Sequence, residues 1–218
     1  MNQRAVFIAV IVALLLVFVF ATLYYNTQVE SKVPPPSPAN SAALIRMHSP
    51  SLGKIEAPVV IVEFFDPACE TCRTFYPLVK EIMAANPDRI RLVLRYAPFH
   101  KGADEVIAVL EATRKQGKFW PALEALLDAQ AAWTSHHTAN VDLVWKHLDG
   151  IGLDLEKVRT DMRAPEIAKL IAQDVEDART LNVTKTPGFF VNGRPLVDFG
   201  FKQLKRLTDD ALKETQGR

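Results

Sequence analysis

Cysteine is scarce in this chain of 218 residues: there are two, Cys69 and Cys72, three positions apart. A merely structural bridge between them would close a very short loop and so constrain the unfolded chain little. A zinc site needs four ligands, and no second Cys-x-x-Cys exists to complete one. The five histidines, His48, His100, His136, His137 and His147, fall at no spacing that matches a metal motif. No Met-rich or His-rich tract is present, which argues against metal delivery. Charge of either sign is not in excess, since the net charge is +1, and this gives no argument for nucleic acid as a partner. Internal repeats are absent.

What is present gains weight from its placement. Cys69 and Cys72 lie in Phe64-Phe65-Asp66-Pro67-Ala68-Cys69-Glu70-Thr71-Cys72, between a strand-like apolar run and a helix-like segment. A cysteine at the first turn of a helix meets unpaired backbone N–H groups and the positive end of the helix dipole, and both favour the thiolate. The second cysteine, one turn on, can resolve a mixed disulfide by closing a small ring, so the pair can shuttle two electrons.

The N-terminus carries one long apolar run. After Arg4, residues Ala5 to Tyr25 contain no charge and Thr22 as the clearly polar member. A bilayer takes about 20 apolar residues, whereas the apolar region of a signal peptide is about 7–15 residues and precedes a small-x-small cleavage site. This run ends in Leu23-Tyr24-Tyr25, so 1–25 is expected to be an uncleaved transmembrane anchor, with Arg4 on the cytoplasmic side and the rest of the chain outside the cytoplasm. A linker over 26–50 is expected, with Pro34-Pro35-Pro36-Ser37-Pro38 as an extended polyproline spacer. Residues 51–218 are of one-domain size.

Within that domain, Pro58 to Phe65 and Ile90 to Tyr96 read as buried strands. Between them Phe75, Leu78, Val79, Ile82 and Met83 form one helical stripe, interrupted by Pro77. The spacing predicts a βαβ unit. From about 103 to 181 the chain lacks strand character and predicts helices over 103–116, 119–129, 141–148, 155–162 (capped by Asp154) and from Pro165, where Ile167, Leu170, Ile171, Val175 and Ala178 share a face. Trp120, Trp133 and Trp145 are read as packing residues. Asn192-Gly193 between apolar segments predicts a hairpin, and 201–215 a final amphipathic helix.

Taken together these residues resemble the DsbA-like branch of the thioredoxin superfamily, from about Ile55 to the C-terminus. The resemblance rests on the strand-to-Cys-x-x-Cys run with Glu63, on Pro77, on Gln116-Gly117-Lys118-Phe119-Trp120, and on Thr186-Pro187 ahead of Phe189-Phe190-Val191-Asn192-Gly193. It implies an α/β, thioredoxin-like fold with a helical insertion at about 103–181. By the same resemblance Cys69 is the attacking thiol, Cys72 the resolving thiol, Pro187 a cis-proline facing them with Thr186 beside the substrate, and Glu63 a buried acid that relays the proton of Cys72. No metal or other cofactor is implied. The implied partners are thiols and disulfides of exported proteins, and a membrane redox partner.

The chain departs from the strongly oxidising members, which carry Pro-His between the cysteines where this one has Glu70-Thr71. A carboxylate near Cys69 is expected to oppose its ionisation and lower the potential. The reading is therefore a membrane-tethered, extracytoplasmic thiol–disulfide oxidoreductase that forms, reduces or isomerises disulfides. A binding module holding Cu(I) through the two thiolates, or a chaperone-like one, is the alternative of a different class.

Overall fold

The computed structural model describes residues 3–30 and 38–215, which fall into two compact units, 1–35 and 36–218. In the first, α1 (Gln3–Glu30) is a helix of 28 residues, so it runs past the expected boundary at Tyr25. The side chains described between residues 10 and 24 are exposed and apolar almost throughout, with the Thr22 hydroxyl returning to the carbonyls of Phe18 and Val19 at 2.9 Å each. Fifteen residues make about 22 Å of helix. Among the described residues no helix is long and apolar enough to cross a membrane.

The spacer Pro34 to Ser37 lies outside the described residues, but the expected linker is not linker throughout. Pro38 opens α2 (Pro38–Leu44), whose Ala43 and Leu44 are buried. The reason lies downstream, in acidic partners that hold the segment after α2 against the domain.

The second unit is built on a five-stranded sheet, formed by β1 (Ser51–Leu52), β2 (Val59–Phe65), β3 (Ile90–Tyr96), β6 (Gly188–Val191) and β7 (Arg194–Pro195), in the order β1-β3-β2-β6-β7. As the apolar runs predict, β2 and β3 pair in parallel, from Val59 opposite Ile90 to Phe65 opposite Tyr96. α3 (Glu70–Ala84) connects them. The hairpin at Asn192-Gly193 adds β6 and β7, with β6 antiparallel to β2; Asn192 has φ 46° and Gly193 φ 82°, the left-handed pair that a two-residue turn needs. The short β1, antiparallel to β3, carries no sequence signal at that length.

Alternation along the strands sorts the sheet into two faces. Ile61, Phe65, Leu92, Leu94, Phe189 and Val191 join α3 and α9 (Phe201–Glu214) in the larger core. Val62, Phe64, Val93 and Phe190 pack with Leu44 and with Ala178 of α8 (Pro165–Thr180) in a smaller one.

The insertion holds α4 (Ala103–Arg114), α5 (Phe119–Asp128), α6 (Gln130–Trp133) and α7 (Leu155–Asp161), with Asp154 capping α7 through Lys157 N as expected. Two differences stand out. Residues 134–139 form a small hairpin of β4 (Thr134–Ser135) and β5 (Thr138–Ala139), and 141–148 is two short 3-10 turns rather than one helix. Asn140 accepts from Asp142 N, starting a tight turn that the apolar spacing does not encode. Of the tryptophans, Trp133 is fully buried, while Trp120 and Trp145 pack against the core from its edge.

The face of α8 carries more than the expected apolar stripe. Asp174 and Asp177 are buried there and meet Arg95 of β3: Nη2 lies 2.7 Å from Asp174 Oδ1 and 2.6 Å from Asp177 Oδ2. Arg46 donates to Asp177 at 2.6 and 2.8 Å, His48 Nε2 lies 2.7 Å from Asp174, and Arg95 Nη1 donates to the Ala43 carbonyl at 2.5 Å. These bonds dock 43–48 on the domain.

Candidate active site

The end of β2 and the start of α3 create the site. Asp66 follows the strand, is fully buried, and accepts from Ala68 N at 2.8 Å, Phe99 N at 2.8 Å and His100 N at 2.9 Å, with His100 Nδ1 at 2.7 Å. It thereby ties the redox turn to the loop after β3. Sequence reasoning passed over Asp66, although an Asp-Pro pair closing a strand is a turn signal.

Cys69 is the N-cap residue of α3, with φ −77° and ψ 118°. Its sulfur takes the place of the usual capping oxygen and accepts from Cys72 N at 3.4 Å. Both cysteines are free thiols. The Cys69 thiol is pushed down to about 5, chiefly because the Cys72 thiol donates to it; burial opposes this, and a side-chain hydrogen bond from Thr186 and the N–H groups of Cys72 and Thr71 add to it. The Thr186 carbonyl, 3.3 Å from Sγ, works the other way, because a thiol can donate to it and a thiolate cannot. The helix donors win. Glu70 is exposed and is not among the groups that set this ionisation, so the expectation that it would hold the thiol up is corrected: a solvated carboxylate is screened, whereas the N–H groups touch the sulfur.

Cys72 is pushed well above its ordinary value by burial first, then by its hydrogen bond to Cys69 and the negative charges of Glu63 and Cys69. Glu63 lies in β2 on the same face as the cysteines, fully buried. Neither of its carboxylate oxygens has a hydrogen-bond partner among the described residues. Burial, and next the charge on Cys69, push it up to about 8. Thr186-Pro187 is a cis peptide, and the structure brings Thr186 to Cys69. All five residues singled out from the sequence, Glu63, Cys69, Cys72, Thr186 and Pro187, thus belong to one neighbourhood at the end of β2 and the start of β6.

Beside it, the ring of Phe75 in α3 packs at a tilt against Phe199 at 4.7 Å and Phe189 at 5.7 Å between ring centres. A groove of about 550 Å³ between α3 and α5, lined in part by Tyr76, Lys80, Glu124 and Leu127, includes neither cysteine. Among the described residues no group of three or more His, Cys, Asp or Glu side chains gathers as a metal site would require.

The family model described as thioredoxin matches residues 46–210, three quarters of the chain and the whole sheet. The chain belongs to the thioredoxin family. Among curated relatives of this thioredoxin-family chain is the probable disulfide bond formation protein D of Bacillus anthracis, 32% identical over 174 residues that make up 75% of this chain and 78% of that one. The Na(+)/H(+) antiporter NhaA 1 of Mycolicibacterium vanbaalenii is 29% identical over 85% of this chain. There the chain spans only 30% of the relative's length. Of solved structures, a thioredoxin-like oxidoreductase from Silicibacter pomeroyi DSS-3 shares 32% identity at a TM-score of 0.68, covering 81% of this chain and 97% of that one. BdbD from Bacillus subtilis, at 22% identity, TM-score 0.67 and coverage of 82% and 96%, shares the fold.

Proposed function

We propose that this chain is a thiol–disulfide oxidoreductase that exchanges disulfides with exported proteins, held at the outer face of the cytoplasmic membrane by α1 and recycled by a membrane redox partner. One observation carries the chemistry: a cysteine capping a helix with its thiol held near 5, one turn before a buried cysteine held high, above a buried acid. In the oxidising direction a substrate thiolate attacks Cys69 Sγ of the Cys69–Cys72 disulfide. The S–S bond breaks towards Cys72, and the displaced sulfur takes a proton. Burial, the larger cause that holds Glu63 up, persists in this state, and the acid form of Glu63 supplies the proton. A second substrate thiolate then attacks the substrate sulfur and expels Cys69, which leaves readily as a stable thiolate. The substrate loses two electrons and the protein gains them. Thr186 and Pro187 flank the attacked sulfur and are assigned to substrate binding.

In the reverse direction Glu63 must be a base when Cys72 attacks. Once Cys69 is tied in a mixed disulfide its charge is gone, and with it one of the two causes that hold Glu63 up. Glu63 therefore becomes a better acid, and more of it is carboxylate, at the step that needs one.

A depressed Cys69 pKa stabilises the reduced form from about pH 5 upward and leaves the disulfide untouched, so it makes the couple more oxidising. Set against thioredoxin, with its thiol near 7 and potential near −270 mV, a thiol near 5 adds about 2.3 kcal/mol at pH 7, or about 50 mV. Equilibration with glutathione should place the couple clearly above thioredoxin yet short of about −120 mV. A value at or below −270 mV overturns the oxidising assignment. The location is tested by alkaline washing of membranes: full-length protein should stay with the membrane pellet, and its appearance in the wash would defeat the tether. The disulfide-forming relative and the uncharged Ala5 to Tyr25 support these two readings respectively.

Glu63 gives a prediction of opposite signs. Its folded value near 8 lies above the ordinary 4.5, so the unfolded chain ionises first, and stability falls as pH rises from about 4.5 to 8, by up to about 1.4 kcal/mol per pH unit. Glu63→Gln should remove that slope, melt higher at pH 7, and resolve mixed disulfides about tenfold or more slowly. Unchanged melting and unchanged kinetics across this range would make Glu63 a spectator.

A further inference from the structure

The redox turn is held from two sides, and the second hold comes from the helical insertion. Gln130, the first residue of α6, is 1% exposed. Its Nε2 donates to the carbonyl of Pro67 at 2.7 Å and to that of Cys69 at 3.0 Å, which uses both N–H bonds of a terminal amide. α6 is itself fixed: Thr134 Oγ1 donates to the Gln130 carbonyl at 2.8 Å, and Trp133 Nε1 to the Leu126 carbonyl at 2.8 Å.

Gln130 Oε1 is buried and meets no donor among the described residues. An unmet buried acceptor is unfavourable, and an apolar side chain of the same length would fill the space without it. Packing alone does not select glutamine here. The two carbonyls do.

We infer that Gln130 is a positioning residue for the Cys69–Cys72 couple, holding the turn from Pro67 to Cys69 so that the Cys69 sulfur stays at the N-terminus of α3. The geometry explains how. The direction of the Cys69 carbonyl fixes ψ of that residue, and with it where Cβ and Sγ lie relative to the first turn. That carbonyl also accepts Arg73 N at 3.1 Å as the opening bond of the helix. Gln130 shares the same acceptor and pins the preceding one. Without the amide, two carbonyls in an apolar wall lose a donor, the turn relaxes, and the sulfur withdraws from the Cys72 N–H.

This rests on the oxidoreductase reading above, and the test separates the two. In the full chain, Gln130→Met keeps length and removes both donors. Thiolate absorbance against pH should show Cys69 titrating at higher pH than in the wild type, and single-turnover attack on a small aromatic disulfide at pH 6 should be about fivefold slower, the weight of one ordinary hydrogen bond. Thermal melting should change little, because the unmet Oε1 is lost along with the two donors; a merely structural role would move melting and leave the titration where it is. A folded Met variant with the wild-type titration and rate overturns the inference. If it does not fold, Gln130→His, with one N–H donor kept, decides by the same readouts: an intermediate shift supports positioning, and none overturns it. A wild-type protein that does not react with the disulfide at all defeats the oxidoreductase reading, while the titration still decides Gln130.

Discussion

Replacing Cys72 with alanine is expected to turn the protein into a trap. The Cys72 thiol, the main donor to Cys69, is lost, but the backbone N–H groups at 71 and 72 remain; Cys69 attacks a substrate disulfide more slowly, forms a mixed disulfide, and with no second sulfur behind it the adduct persists. Cys69→Ala should form none, and turnover should fall to background. The asymmetry follows from the site: Cys69 caps the helix with its thiol near 5, whereas Cys72 is buried beneath it and held high by burial and by the charges of Glu63 and Cys69. Non-reducing electrophoresis of both variants, expressed with their natural substrates present, is the measurement. Adducts on Cys69→Ala and none on Cys72→Ala would reverse the assignment.

The largest stability effect is expected far from the sulfurs. Asp174 is fully buried and serves four donors: Arg95 Nε at 3.1 Å, Arg95 Nη2 at 2.7 Å, Tyr96 N at 2.8 Å and His48 Nε2 at 2.7 Å. Asp174→Ala leaves the Arg95 charge with Asp177 alone and strands a backbone N–H, so it should lower unfolding free energy by about 3–5 kcal/mol. Denaturant unfolding should show an earlier midpoint; a loss under about 1 kcal/mol would mean the network is not what holds α8 to β3. Acid should weaken the same network. At Asp177 burial works to raise the pKa, but the hydrogen bonds and charges of Arg46 and Arg95 prevail and hold it below its ordinary value. The stability this contributes is present at neutral pH and is lost as pH falls through that depressed value.

How far the sequence disclosed this fold depended on whether a feature is local. The strands 59–65 and 90–96 and the helix after Cys69 show plainly, because each carries its own period and punctuation. So does the hairpin at Asn192-Gly193, where turn type and residue type are one constraint. The residues that gather around the sulfurs were picked out through the family resemblance, including Glu63, whose burial no periodicity reveals. Gln130 was not: its meaning depends on two carbonyls some sixty residues earlier. The buried charges fail for a related reason. Arg95 in a strand and Asp174 and Asp177 on a helix carry no signal of one another until the fold joins them. Glu70 is the opposite case, conspicuous beside the cysteines and yet exposed, so proximity in sequence overstated its effect.

The docking of 43–48 also decides how the domain responds to being pulled. Tension on the chain ahead of Ala43 enters the fold at the Arg46–Asp177 and Ala43–Arg95 bonds and passes into α8 and the C-terminal end of β3, on the sheet face away from Glu63. The helix that carries Cys69 is not in that load path. Force applied there thus leaves the sulfurs in register.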